Sequence, residues 1–339
     1  MRMEDISALI TPDVLLPALG LAALLLPGLI AVGAVFVAVL TAVTYRKSSR
    51  VFADKLAKQM SEFGMLVLGV WLLLVSARWG LWISEIWPVS GTLRRFYHLF
   101  FDIPGHVSML AVLTSIITAR AWRRHKKGSA VHFVLGGISC LTWMVALMLF
   151  ITGWLESGRV EGMAQKMDPV TLPLLLMNPT AWLIWAQGLF LAMALAGGAG
   201  LLFLVARRNK EDYGRDYYAW AARTCSGRAL SSGVVQALWG VTTFIALSVP
   251  WADLALQGPS SWLATALAAV SGSSALAALL AFLVLSLLAW LSLIPLIKSQ
   301  HPMRLKGLML AHILLMLPVL TALVLTCQQF FTGAPTFSP

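Results

Sequence analysis

Long apolar runs alternate with short polar segments along the whole chain, and the runs have membrane length. An α-helix rises about 1.5 Å per residue, so roughly 20 apolar residues cross a hydrocarbon core of about 30 Å. Eight runs reach that length, at about 14–44, 64–86, 97–118, 131–155, 180–206, 229–250, 273–297 and 307–330. The pattern predicts an all-α integral membrane protein with eight transmembrane helices. No connection is long enough to hold a soluble domain, so residues 1–339 are read as a single polytopic membrane domain. The first run is too long for a signal peptide and follows acidic residues, so it is read as a span.

The connections carry patterns of their own. Ser49–Glu62 reads as an amphipathic helix lying along the inner surface, with Val51, Phe52, Leu56 and Met60 on its apolar side. Met167–Asn178 is too short to cross and too apolar for a free loop, which predicts an interfacial or re-entrant segment on the outer face. Asn178-Pro179 then starts the fifth helix. Ser260–Ser274, rich in Ser, Gly and Ala, reads as an outer loop feeding the seventh span. The small-residue runs Ala196–Gly200 and Ser274–Phe282 predict faces on which helices approach closely. Pro17, Pro27, Pro295 and Pro318 read as kinks within spans.

Charge orients the array. Nineteen of the 25 Lys and Arg residues fall in Tyr45–Met60, Ala119–Ala130, Arg207–Arg228 and Lys298–Lys306. The alternate connections are nearly free of them. Cytoplasmic loops retain Lys and Arg, so both termini are expected outside the cytoplasm. The composition agrees, with 59% hydrophobic residues, 12% charged residues and a mean hydropathy of +0.82. The net charge of +11 sits on short loops facing anionic lipid, so the partner it implies is the bilayer and not nucleic acid. Trp79, Trp82, Trp87, Trp154, Trp251 and Trp262 read as an aromatic interface belt.

Candidate chemistry is sparse. Cys140 and Cys327 fall within spans, and Cys225 falls in a basic loop. Without a CxxC pair or CxxCH, neither a disulfide, covalent haem nor a cysteine-bound cluster is supported, and no metal site is expected. Nor does a P-loop, HExxH or nucleotide fingerprint occur. The informative residues are ionisable groups inside spans, because they are costly there. Asp102 and His106 stand one helical turn apart near the outer end of the third span, with Arg78 on the preceding antiparallel span. They are read either as a quinone or proton site or as a hydrogen-bonded pair closing the bundle. His132 and His312 lie toward the inner ends of their spans, either as haem ligands or as helix–helix hydrogen-bonding residues.

Three stretches carry a resemblance. Val51–Val70 (VFADKLAKQMSEFGMLVLGV), Phe96–Gly105 (FYHLFFDIPG) and Leu141–Ala206, with Gly153-Trp154, Met167 and LLLMNPTAWLIWAQ at Leu174–Gln187, occur in that order. The chain resembles the large, haem-bearing subunit of cytochrome bd-type quinol oxidases over about its first two-thirds. The resemblance implies bd-oxidase-like helical bundles and a place in the bacterial cytoplasmic (inner) membrane. The departures are equally specific. Where that family has its first-helix haem His, this chain has aliphatics near Leu24–Pro27. Its third-helix Glu falls at Ala111 or a neighbour, and its fifth-helix haem His falls at Gln187. The long quinol loop and the Gly-Arg-Gln-Pro-Trp motif are absent.

Function follows the site more than the fold. The expectation is therefore a membrane subunit of a respiratory or electron-transfer complex, unable to reduce oxygen alone. It would sit with other membrane subunits, anchor an outer-facing cytochrome or iron–sulfur protein, and contact quinone. Haem b stays open as a cofactor, although its usual ligand positions are lost. The alternatives are a haem-free structural subunit or, less well matched, a transporter, since no inverted repeat with broken helices is evident.

Overall fold

The computed structural model describes residues 11–44, 49–83, 103–124, 130–159, 179–211, 213–248 and 274–333. Among them the secondary structure is helical throughout: α1 (Pro12–Thr44), α2 (Arg50–Ile83), α3 (Ile103–Arg124), α4 (Ala130–Arg159), α5 (Pro179–Arg208), α6 (Arg215–Ser248), α7 (Ser274–Lys298), a 3₁₀ turn (Pro302–Arg304) and α8 (Lys306–Gly333). The protein is an all-α, multi-pass membrane protein, with eight long helices among the described residues. Six of them contain apolar stretches long enough to cross a membrane, and α3 contributes a shorter one, His106–Trp122. The helices run without interruption through Pro17 and Pro27 of α1, Pro295 of α7 and Pro318 of α8. The segments expected at Met167–Asn178 and before Ser274 lie outside the described residues, as do the side chains of the expected tryptophan belt.

Two helices are longer than hydropathy predicted, both at the end of the bundle that carries the basic segments. The stretch read as a surface helix, Ser49–Glu62, is instead the first part of α2. Most of its apolar side meets protein: Leu56, Ala57 and Met60 are fully buried in the main core with Tyr217, Ala221 and Cys225, while Val51 is exposed. The sixth helix likewise starts at Arg215, so Cys225 belongs to a buried helix face and not to a loop. Its basic residues mask a second pattern, since Tyr217, Ala221, Cys225 and Ala229 recur every four residues and form one buried stripe. What remains of the loop is a tight turn in which Gly214, at φ 86°, takes the left-handed conformation that glycine tolerates.

α1 runs through the centre, packed against α2, α4, α5 and α8. Small residues set these distances. A Cβ at Gly33 would lie 1.9 Å from the Ala192 carbonyl oxygen of α5, so those two backbones touch directly. The expected small-residue face at Ala196–Gly200 works the same way. Gly197 abuts the backbone of Cys225 and Ala229 in α6, Gly198 abuts His312 and Met316 in α8, and Gly200 abuts Met60 in α2.

Candidate functional site

The outer candidates are only partly within view. Asp102 and the Arg78 side chain lie outside the described residues, while His106 stands on the first turn of α3 with its side chain exposed. His132 and His312 are buried in separate helix interfaces. His132 Nε2 lies 3.1 Å from the Ala121 carbonyl of α3, and its ring stacks on Trp122 with centroids 4.3 Å apart. His312 Nδ1 lies 2.9 Å from the Ala289 carbonyl and 3.2 Å from Ser292 Oγ, both on α7. Its Nε2 faces Gly198, where a Cβ would come within 2.4 Å. The partners do not overlap: one ring ties α4 to α3, the other ties α8 to α7 and α5.

The positions that the bd-type resemblance associates with haem are filled by side chains. Leu24 and Ala111 belong to one buried cluster with Leu68, Trp71 and Trp143. The Trp71 indole lies directly over Gly28, where a Cβ would be 2.8 Å from Nε1. Trp143 Nε1 donates to Ser115 Oγ at 2.9 Å. Between Ala31, Val35, Ser61, Gly64, Met65, Leu68, Ser115 and Trp143 a cavity of about 10 Å³ remains. That is room for about one water, whereas pockets for sizeable ligands run to roughly 300–1,000 Å³. On α5, the Gln187 amide packs against α6, with Nε2 3.1 Å from where a Cβ at Gly240 would stand. Haem does not fit this packing.

A hydroxyl seam joins α3 to α4 beside the cluster. Thr114 pairs with Thr142 at 3.0 Å, Ser115 with Ser139 at 2.9 Å, and Thr118 donates to the Leu135 carbonyl at 3.0 Å. These bonds hold two moderately apolar helices together where hydrocarbon offers no competing partner.

The densest polar constellation lies at the basic end, where α2, α5 and α6 meet. Arg207, in the last turn of α5, donates through Nη2 to Glu62 of α2 and through Nη1 to Glu211 at 3.2 Å. Gln59 Nε2 donates to the other Glu211 oxygen at 2.8 Å, and the buried Tyr217 hydroxyl donates to Gln59 Oε1 at 2.5 Å. Tyr218 closes the corner by donating to the Glu211 carbonyl at 2.5 Å. Lys55 Nζ sits 4.4 Å above the Tyr213 ring. Burial raises the Tyr213 phenol above its usual range, and the neighbouring Glu211 carboxylate raises it further. One guanidinium thus spans two carboxylates, and a string of donors ties them to a buried tyrosine. The arrangement fixes the ends of three helices; it contains no activated nucleophile.

Sequence reasoning missed this constellation. Its residues are distant in sequence, and the available signal was two carboxylates, Glu62 and Glu211, set among the Lys and Arg of the inner segments. Among the described residues no group of three or more His, Cys, Asp or Glu is placed to hold a metal ion.

No family model matches the chain, and no curated protein matches it in sequence. Among solved structures it is similar to the bd oxidase from Geobacillus thermodenitrificans, with a TM-score of 0.61 and 13% identity over 93% of this chain and 85% of that one. At that identity the likeness shows the fold: the eight helices are arranged as in a bd oxidase.

Proposed function

We propose that this chain is a membrane subunit of a bacterial respiratory or electron-transfer complex, in which a bd-oxidase-like bundle serves as a haem-free scaffold for a partner redox protein. The observation that carries this reading is the packing of Leu24, Trp71, Ala111 and Trp143 where the resemblance would put haem. A bundle that had only lost its ligands would keep a void, and voids between apolar side chains destabilise. Here the space is closed by two indoles, the result expected when a scaffold is retained for its shape. The partner is an outer-facing cytochrome or iron–sulfur protein, and Asp102, His106 and Arg78 at the outer end are the residues assigned to a quinone headgroup or proton path. Purification in mild detergent, with a reduced-minus-oxidised spectrum and identification of co-purifying chains, tests the reading. The expected result is a redox protein retained with the complex and no stoichiometric haem on this chain once separated. Quinol-dependent oxygen uptake by the isolated chain, lost on haem removal, overturns it.

The proposed orientation places both termini outside the cytoplasm. Reporter fusions after Lys127 and Lys210 are expected to read cytoplasmic, and fusions after Gly162 and at Pro339 outside. A cytoplasmic C-terminus would refute that orientation.

A further inference from the structure

One concavity on the described surface is built from a single helix. Trp220, Arg223, Thr224, Gly227, Arg228 and Ser231 of α6 line a groove of about 420 Å³ at the basic end. They recur at helical spacing and so form one stripe, with Gly227 as an open floor, since a Cβ there would meet nothing within 4 Å. Two guanidiniums and two hydroxyls face the groove, and among the described residues no carboxylate lines it. Arg228 is oriented by one bond, from Nη2 to Thr44 Oγ1 at the end of α1 (2.8 Å). Its other N–H donors remain for a second acceptor. Arg223 donates from Nε to the Ala219 carbonyl of its own helix at 3.2 Å.

The same stripe changes character one turn further along. Val234, Leu238 and Val241 continue it, all exposed, Leu238 by 67%. A cationic, hydroxyl-lined groove therefore runs directly into an apolar track on a helix that enters the membrane. We propose that this face seats one anionic glycerophospholipid of the leaflet at the basic end, its phosphate between Arg223 and Arg228 and an acyl chain along Val234, Leu238 and Val241. Charge complementarity selects the anionic headgroup, because two Arg without a neighbouring carboxylate favour a phosphodiester that carries net negative charge. The apolar continuation selects a lipid over a free phosphate, which would leave that track without a role. Thr224 and Ser231 supply hydroxyls to the glycerol and headgroup oxygens.

The test uses the full chain, purified in mild detergent and stripped of lipid. Native mass spectrometry and the thermal midpoint are followed while short-chain phosphatidylglycerol, phosphatidylcholine of the same chain length or inorganic phosphate is added. Phosphatidylglycerol is expected to bind at one molecule per chain and raise the midpoint, with phosphatidylcholine about tenfold weaker and phosphate without effect. Arg223→Gln should weaken the phosphatidylglycerol site about fivefold, and Arg223→Gln with Arg228→Gln about 25-fold, while Arg223→Lys keeps most of the affinity. Arg208→Gln, an exposed cation outside the groove, should leave it unchanged. Equal binding of the two lipids, or equal loss in the Arg208 variant, overturns the site. Stabilisation by phosphate alone would make it a free-anion site and overturn the lipid assignment. Among the described residues Arg223 bonds only within α6, so its variant is expected to keep the fold even if the double variant does not.

Discussion

Gly33→Ala is expected to remove most of the folded protein. The added methyl would lie 1.9 Å from the Ala192 carbonyl oxygen and 2.3 Å from its carbonyl carbon, both backbone atoms of α5. No side chain can rotate to make room, so α1 and α5 must separate along a contact at the centre of the bundle. Overpacking at an adaptable site costs about 1–3 kcal/mol, and a backbone-to-backbone clash belongs at or above the upper end of that range. Size-exclusion profiles in mild detergent and the thermal midpoint measure the effect. Gly69→Ala is the matched control: its Cβ would meet nothing within 4 Å, and alanine is the better helix former by about 1 kcal/mol. A Gly33→Ala protein as monodisperse and heat-stable as the Gly69→Ala protein would show that the two backbones are not in contact.

Arg207→Met should be nearly as damaging, by a different route. The substitution keeps an unbranched apolar stem but leaves Glu62, whose side chain is 10% exposed, and Glu211 without the cation between them. Removing one partner of a buried ion pair costs about 3–5 kcal/mol; with Arg207 itself 27% exposed, roughly 2–3 kcal/mol is expected here. Arg207→Lys should recover little, because one ammonium cannot span both carboxylates as a guanidinium does. Arg207→Met combined with Glu62→Gln should recover more than half of the loss, since the more buried of the two uncompensated carboxylates is then gone. Thermal midpoints of the four proteins decide the matter. An Arg207→Met protein of wild-type stability would mean the network contributes nothing.

The helices were readable from sequence because a bilayer leaves few alternatives: hydrocarbon length fixes the size of a span, and a backbone crossing lipid must satisfy its own hydrogen bonds. The readings of Pro179 as the start of a helix and of Ala196–Gly200 as a packing face rest on equally local rules. What hydropathy could not see was helix outside the hydrocarbon. In Arg215–Arg228 and Arg50–Glu62, charged residues lower the average and suggest surface or loop, although Tyr217, Ala221 and Cys225, like Leu56 and Met60, keep the helical repeat. A hydropathy average discards that periodicity. The Arg207 network was invisible for another reason, since nothing in a single sequence links Glu62 and Gln59 to residues near 207–217. His132 and His312 were legible as polar groups within spans, whereas the Ala121 and Ala289 carbonyls they meet could not be read from the sequence.

The central position of α1 also has a consequence for the order of events at the ribosome. Its partners α5 and α8 lie late in the chain, and Ala192, against which Gly33 closes, is made well after it. At translation rates of about 5–20 residues per second, α1 waits roughly 10–30 s in the bilayer before that neighbour can be completed. During this interval the Gly33 surface lacks the α5 backbone it closes against in the finished bundle. α1 can therefore pair with α2 early, while its face toward α5 and α8 is completed only when the C-terminal half arrives.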